Sequence, residues 1–540
     1  MPALRSLPEV IAGLPRSGAL AAGALAACGF QPLALWPLTI LAVAWWIELV
    51  SRASTWRRAL LLGWLFGVSH FTVDNYWIAT SFTHQANMPH WLGSIAVVLL
   101  SFYLAVFPAL AALAAWLASR WTSRRAAGPG SGLAIAGAWI VTEWLRGWVF
   151  TGFAWNPLGI ALLGGFETQG LALSAKWIGT YGLSGLLVLI AAALRQALRM
   201  AWPASTRRRA ALLAGSIAFA VPLTVLMTAP ASYLPSTEGS QPFTLVQPDF
   251  RQEILGDPRY FDANFRKLAS LSRANRPNDK RVVLWPESGL PDYLRDGYPP
   301  WLYRDGTYAA DPVAARQRIG RAIGPYSLLL TGAVDAVVEG DEWIALRNSV
   351  TAVDWRGHVL AGYAKAHLVP YGEYLPMRSL LEPIGLSRLV PGTLDFLPGP
   401  GPRTHDFGDW GEAGIQICYE IVFSGEVVDP RDRPDYIFNP SNDGWFGSWG
   451  PPQHLAQARL RALEEGLPVM RSTTTGISAV IDADGIVRQF VPRHRAGRLD
   501  GMIPPAAEPT PFARHGNALS LLLAGLFLAV SLVAMRRPKR

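Results

Sequence analysis

The feature that most constrains this chain is a series of apolar runs, each long enough to cross the roughly 30 Å of bilayer hydrocarbon. They lie near 8–28, 33–50, 58–79, 92–118, 132–148, 180–200 and 209–228, with an eighth near 517–535. Surface of this kind is best buried in lipid, and helices satisfy their own backbone groups there. The first run is expected to be a span and not a signal peptide. No small-x-small cleavage site precedes a soluble domain, and another span follows almost at once. The expected membrane part is an α-helical transmembrane bundle of about eight spans, the first seven within 1–230 and the last within 515–540.

Charge then orients the spans. The chain carries a formal net charge of +9, but residues 240–500 hold 28 Lys and Arg against 32 Asp and Glu, so the basic excess lies between the apolar runs. Arg5 and Arg16 precede the first run, and Arg52, Arg57 and Arg58 separate the second from the third. Arg120, Arg124 and Arg125 follow the fourth; Arg195, Arg199, Arg207, Arg208 and Arg209 lie between the sixth and seventh; Arg536, Arg537, Lys539 and Arg540 end the chain. The alternate loops, such as Ser81–His90, hold almost no Lys or Arg. This alternation puts both termini in the cytoplasm and the polar region on the opposite face, periplasmic in a bacterium-like cell. A nucleic-acid surface is not expected from basic residues spread in this way.

Residues 240–503 read differently. Short β-rich runs at Phe243–Gln247, Arg281–Trp285, Leu328–Val334, Ser349–Val353, Ala413–Cys418, Tyr436–Asn439 and Ser478–Asp482 alternate with helical patterns, clearest at Tyr260–Ala274 and Leu455–Glu465. Strands separated by helices and turns predict an α/β domain with two layers around its sheets. The two cysteines, Cys28 and Cys418, fall in different regions and are read as free thiols. No metal-ligand spacing claims them, and neither a metal nor a cofactor is expected.

Three segments of this domain end a β run with a chemically capable residue. In Val282–Ser288, Pro286 stops the strand and leaves Glu287 at the rim of a sheet, where α/β folds place their sites. Taken alone, Glu287 reads first as an ordinary solvated strand-end acid. Lys365 lies among aromatic residues and prolines in Tyr363–Pro376, as a snorkelling surface charge or as a fixed cation, with Glu373 as its counter-ion or a positioning group. Cys418 ends the apolar strand Gly414–Ile417, as a core thiol or a nucleophile, and the Tyr419–Glu420 pair after it indicates that the strand has reached a rim. A thiol nucleophile needs a base for its proton and a cation or dipoles for the oxyanion. Glu287, Lys365 and Cys418 supply that set.

This constellation resembles the nitrilase superfamily, whose αββα sandwich carries a Glu–Lys–Cys triad. Ser441–Gly447, Ala458–Glu464 and Arg471–Ser478 look like later blocks of that superfamily. A nitrilase-like domain inserted before the last of about eight spans is similar to the layout of apolipoprotein N-acyltransferases. The Lys365–Pro376 block, Cys418–Glu420, Ser441–Gly447 and Thr510–Asn517 look like that family. One stretch departs from it: Gln252–Asp257 has no aromatic residue where family members often carry a tryptophan.

The resemblance implies a two-step transfer of an acyl chain from a phospholipid to the N-terminal amine of a diacylglyceryl-cysteine lipoprotein. Glu287 would be the base, Cys418 the nucleophile and Lys365 the oxyanion partner. Glu373, Tyr419, Glu420, Trp445 and Phe446 would support them or contact substrate. The implied partners are the phospholipid donor, the diacylglyceryl-apolipoprotein acceptor and the bilayer, with the protein acting as a monomer in a bacterial inner membrane. Trp445, Phe446 and Trp449, spaced by glycines, suggest an aromatic lid or, equally, a packed loop. Glu143 and Arg146, one turn apart within a span, are placed to pair, and Trp155–Gly159 is a candidate floor for the site. The competing readings are a membrane-tethered amidase or nitrilase, a transporter with an external domain, and an inactive scaffold. The number of spans argues against the first, and the scarcity of charge within them against the second.

Overall fold

The computed structural model describes residues 14–84, 89–121, 129–201, 215, 218, 220–231, 239–276, 278–384 and 394–535. The chain divides into two compact units: Met1–Ala79, His90–Ala231 and Arg514–Arg540 form one, and Thr80–Pro89 with Ser232–Ala513 form the other.

The first unit is helical. Its members are α1 (Pro15–Ala27), α2 (Trp36–Ser51), α3 (Trp56–Asp74), α4 (Trp91–Leu104), α5 (Val106–Trp121), α6 (Pro129–Arg146), α7 (Ala175–Ala201) and a C-terminal helix, Ala518–Met535. Prolines open α1 and α2 at positions where a missing N–H costs nothing, and the Thr55 hydroxyl caps α3 by accepting from Arg58 N. Pro108 cannot donate to the carbonyl one turn back, which accounts for the break between α4 and α5 at Ala105.

Among the described residues, two helical runs, Trp91–Ala118 and Leu171–Ala201, are long and apolar enough to cross a bilayer. Trp36–Ser51 and Ala518–Ala534 are apolar but shorter. A 16-residue helix such as α2 reaches only about 24 Å, while α3 and α6, at 19 and 18 residues, are long enough but not among the sufficiently apolar runs, so length and composition support two spans where the sequence pattern counts about eight. Much of the run at 209–228 lies outside the described residues, as do Arg5, Arg124, Arg125, Arg207, Arg208, Arg209, Arg536, Arg537, Lys539 and Arg540.

Polar contacts tie the helix ends together. Arg195 Nε donates to Glu48 Oε2 at 2.7 Å, joining the last turns of α7 and α2, and Ser531 Oγ donates to Gly130 O at 2.6 Å. At other ends, Asn156 Nδ2 donates to Asp74 Oδ1 at 2.7 Å and Ser520 Oγ to Ile178 O at 2.6 Å. Glu143 and Arg146 approach at 3.8 Å, yet their shorter contacts go to one turn: Glu143 Oε1 accepts from Leu158 N at 2.8 Å, and Arg146 Nη1 donates to Trp155 O at 2.9 Å. The pair therefore braces Trp155–Gly159. Along α4 and α5, Trp91, Ile95, Leu99, Phe102, Val106, Leu110 and Leu117 form an exposed apolar stripe.

The second unit is two six-stranded sheets. The first has the order β12-β1-β2-β3-β4-β5 and the second β11-β10-β9-β8-β7-β6. The strands are β1 (Pro242–Gln247), β2 (Arg281–Leu284), β3 (Ser327–Glu339), β4 (Glu342–Asp354), β5 (Val359–Ala364), β6 (Thr404–Asp406), β7 (Glu412–Ile415), β8 (Tyr436–Ser441), β9 (Val469–Thr473), β10 (Ser478–Ile481), β11 (Val487–Val491) and β12 (Gly497–Met502). In each sheet the central trio, β1-β2-β3 or β7-β8-β9, is parallel and the flanking pairs are antiparallel.

The period of two sorts the side chains into layers. Phe243, Leu245, Val282, Leu284, Leu328 and Leu330 pack with Ile415, Ile417, Phe438 and Met470 between the sheets. Val246, Val283, Trp285 and Leu329 face the other way, onto α8 (Phe261–Leu271) and α9 (Pro312–Ile323). On the second sheet, α10 (Gly450–Glu465) packs against β9 and the turn carrying Cys418. The result is an αββα sandwich, of the α/β class that the sequence pattern predicts and of the arrangement that the nitrilase resemblance implies. The strand expected over Ala413–Cys418 leaves the ladder after Ile415, and α9, β5, β6, β9, β11 and β12 go beyond the elements expected from the sequence.

Candidate active site

Parallel strands end together, so residues following β2, β7 and β8 collect at one end of the sandwich. β5 runs in the same sense as β3, because β4 is antiparallel to both, and it delivers Lys365 to that end too. The three strand-end residues singled out in the sequence meet there. Glu287, Lys365 and Cys418 are all buried, with relative exposures of 5%, 1% and 5%. The Cys418 thiol and the Glu287 carboxyl influence each other's ionisation. Lys365 Nζ lies 3.8 Å from Glu287 Oε1 and 2.9 Å from Glu373 Oε2.

Donors fix both carboxylates. Asn348 Nδ2 donates to Glu287 Oε1 at 2.7 Å and to Glu373 Oε1 at 2.8 Å, and Asn442 N donates to Glu287 Oε2 at 2.7 Å. Val369 N donates to Glu373 Oε2 at 2.8 Å. The close fit extends to the backbone: a Cβ on Gly332 of β3 would lie 2.6 Å from Glu287 Cα.

Burial sets the electrostatics. It pushes the Glu287 carboxyl up, against the Lys365 ammonium, which draws it down, and with Glu373, which adds to the rise. Burial would lower Lys365, but the carboxylates of Glu373 and Glu287 outweigh it and hold the ammonium well above the ordinary lysine range. Burial and the Glu287 charge push the Cys418 thiol well up, so at rest it carries its proton. A resting thiol beside an acceptor carboxylate and a permanent cation is equipped for proton transfer coupled to attack on a carbonyl, with the negative charge collected on the cation's side.

The Cys418 backbone is strained. Its φ of +51° lies in the left-handed region, at the head of a tight 3₁₀ turn, Cys418–Val422. Glu420 holds this turn against the lysine segment: Oε1 accepts from Tyr363 Oη and Ala366 N, each at 2.7 Å, and Oε2 from Ile417 N at 2.7 Å. Burial raises the Glu420 carboxyl to about 7. Its contacts are those of a brace between two segments. Tyr419 is buried and meets the Phe423 ring edge-on at 5.1 Å.

Trp445 and Phe446 are half-buried. Phe446 packs on the core between the sheets and on the His454 ring, and the Trp445 carbonyl accepts from Ser81 Oγ at 3.0 Å with its ring 5.6 Å from that of His84. The aromatic segment is packed in this structure.

Sequence reasoning did not single out Asn348, Asp443, His454 or Arg471. Asn348 is a polar residue within an otherwise ordinary strand, with no local signal of its role. Asp443, His454 and Arg471 are fully buried at 2% exposure or less, which a run of charged and polar residues does not announce. Arg471 Nη2 donates to Asp443 Oδ2 at 2.7 Å, His454 Nδ1 lies 2.9 Å from Asp443 Oδ1, and His454 Nε2 lies 3.0 Å from the Cys418 carbonyl oxygen.

The paired sheets with outer helices, and a cysteine, lysine and glutamates gathered at their common end, make the second unit a nitrilase-like α/β domain. The sequence agrees, matching the carbon-nitrogen hydrolase family over residues 250–502. Residues 22–193 match the apolipoprotein N-acyltransferase N-terminal domain. An apolipoprotein N-acyltransferase of Rhodopseudomonas palustris is 33% identical over 96% of this chain and 95% of its own length. One from Bradyrhizobium diazoefficiens is 35% identical over 96% and 94%. The chain belongs to the apolipoprotein N-acyltransferase family. Among solved structures, an amidase of the nitrilase superfamily from Nesterenkonia AN1 is similar at 20% identity over 53% of this chain and 97% of that one, with a TM-score of 0.34.

Proposed function

We propose that this protein transfers an acyl chain from a membrane phospholipid to the N-terminal amine of a diacylglyceryl-cysteine lipoprotein, through a thioester on Cys418. Glu287 accepts the Cys418 proton as the sulfur attacks the acyl ester. Lys365 and backbone N–H groups following Cys418 take up the oxyanion charge, which is the largest single contribution in comparable enzymes. Glu287 returns the proton to the leaving lysophospholipid. The acceptor amine then attacks the thioester, its proton passing through Glu287 to the departing sulfur. Glu373 and Glu420 hold Lys365 and the Cys418 turn in place, and Tyr419, Trp445 and Phe446 line the approach. The observation that carries this reading is the burial of Glu287, Lys365 and Cys418 at one end of the sandwich, with the Lys365 ammonium 3.8 Å from Glu287 Oε1.

The helical unit belongs in the bilayer, with about eight spans: seven within 1–230 and one within 515–540. The catalytic domain, 240–503, is periplasmic, both termini are cytoplasmic, and the protein works as a monomer in the bacterial inner membrane. The exposed apolar stripe on α4 and α5 supports lipid contact. The Glu48–Arg195 and Gly130–Ser531 contacts support the orientation, since each joins helix ends that the basic-loop pattern assigns to the cytoplasm. The test is to incubate the purified protein with phospholipid alone and measure its intact mass. An added acyl chain on Cys418, absent in Cys418→Ala and discharged by a diacylglyceryl-cysteine peptide, is the expected result. A folded protein that acquires no acyl chain and instead releases ammonia from small amides would overturn it in favour of a hydrolase.

A further inference from the structure

Beneath Cys418 lies a charged cluster that the acyl-transfer steps do not use. Asp443, His454 and Arg471 are fully buried, and burying charge is expensive unless every member is paired. The cluster reaches the nucleophile through His454 Nε2, 3.0 Å from the Cys418 carbonyl oxygen. A carbonyl oxygen can only accept, so Nε2 carries the proton. Nδ1 lies between Asp443 Oδ1 at 2.9 Å and Arg471 Nη2 at 3.0 Å, while Asp443 holds that guanidinium at 2.7 Å and 2.9 Å. Burial and the adjacent guanidinium draw the imidazole below its ordinary pKa, against the Asp443 carboxylate, which draws it up.

The carbonyl that His454 grips belongs to the same peptide unit as the Tyr419 N–H. Hydrogen bonding to an amide oxygen polarises the whole unit and strengthens the donor at its other end. We infer that His454 is a positioning residue that strengthens the Tyr419 N–H as an oxyanion donor by hydrogen-bonding the Cys418 carbonyl, with Asp443 and Arg471 holding its ring in place. This rests on the two-step reading above, in which backbone N–H groups after Cys418 stabilise the oxyanion. It gives the buried charges a purpose, namely to keep one N–H pointed at one oxygen in the left-handed turn.

The effect is a fraction of a donor's full worth. Removing an oxyanion donor costs about 10²–10³ in rate, and cooperative strengthening is about 10–30% of a bond. His454→Ala is therefore expected to slow thioester formation about two- to tenfold, in kcat rather than KM. The discriminating readout is infrared difference spectroscopy of the Cys418 thioester formed from a phospholipid with a ¹³C-labelled acyl carbonyl. Its carbonyl stretch should rise in wavenumber in His454→Ala and return towards the unaltered value in His454→Gln, which retains a donor. Asp443→Asn, which keeps the size and removes the charge, should give a smaller rise and serves if His454→Ala does not fold. A folded variant with an unchanged carbonyl frequency, or a loss confined to KM, would overturn the inference. Failure of the unaltered protein to form any thioester would instead overturn the two-step reading.

Discussion

Asn348 offers the sharpest test of how the base is tuned. Its side-chain amide gives one hydrogen to Glu287 and the other to Glu373, at 2.7 and 2.8 Å. Burial already pushes the Glu287 carboxyl up, and the Asn348 bond acts against that rise by favouring the ionised form. Asn348→Ala removes it. A hydrogen bond to a charged group contributes about 1.5–3 kcal/mol, and one pKa unit corresponds to about 1.36 kcal/mol. The Glu287 pKa should therefore rise further, by about one to two units. Since the base must be ionised to accept the thiol proton, the acid limb of thioester formation moves to higher pH by that amount. Asn348→Asp should move it further in the same direction, because it sets a third carboxylate beside two others. The assay is single-turnover acylation of Cys418 by phospholipid, quenched and read by intact mass across a pH series, with thermal unfolding to show that each variant is folded. An acid limb that coincides with that of the unaltered protein, in a folded Asn348→Ala variant, would refute the role of this bond in setting the base.

Three further outcomes are expected. Gly332→Ala drives a methyl to within 2.6 Å of Glu287 Cα and 2.7 Å of the Pro286 carbonyl oxygen. It should destabilise the protein by about 1–3 kcal/mol and, by displacing the base, slow thioester formation by up to about 10²-fold, both measurable on one preparation. Glu420→Gln puts an amide group where backbone and tyrosine donors converge, so the melting temperature should fall by an amount corresponding to about 1–3 kcal/mol. Alkylation of Cys418 by iodoacetamide should change in the same variant as the turn loosens. Glu143→Leu leaves the Leu158 N–H and Trp139 Nε1 without their carboxylate acceptor. Unfolding in detergent should come earlier, again by about 1–3 kcal/mol per lost bond, whereas a change within error would show that the Trp155–Gly159 turn does not depend on this brace.

How much of this was legible beforehand depended on whether the signal was local. The apolar runs, the basic loops and the strands β1, β2, β3, β4, β7, β8 and β10 are statements about neighbouring residues, and hydrophobic period and charge reveal them. Glu287, Lys365 and Cys418 were legible because each sits where an apolar run stops, next to Pro286, after Ala364 or before Tyr419–Glu420. Other elements carried no such mark. Gly497–Met502 has little apolar alternation and is a strand because β1 offers it a ladder. Val469–Thr473 ends in three polar residues, yet Arg471, Ser472 and Thr473 are fully buried, paired with Asn439, Ser441 and Asp443, with the Val246 carbonyl, and with Gln247, all distant in sequence.

The sequence by itself therefore determined the membrane-like bundle, the α/β class of the inserted domain and the three residue types of the site, since these follow from composition and period along short stretches. Only the tertiary structure decided the rest. The convergence of parallel strand ends from two facing sheets brings the thiol, carboxylate and ammonium into contact. The low-dielectric interior they then share raises the thiol and the base, while the carboxylates of Glu373 and Glu287 hold the lysine charged against it. Partners far along the chain make Asn348 and His454 part of that arrangement. Burial and pairing are properties of three-dimensional neighbours, and a polar residue does not disclose its own until the chain has folded around it.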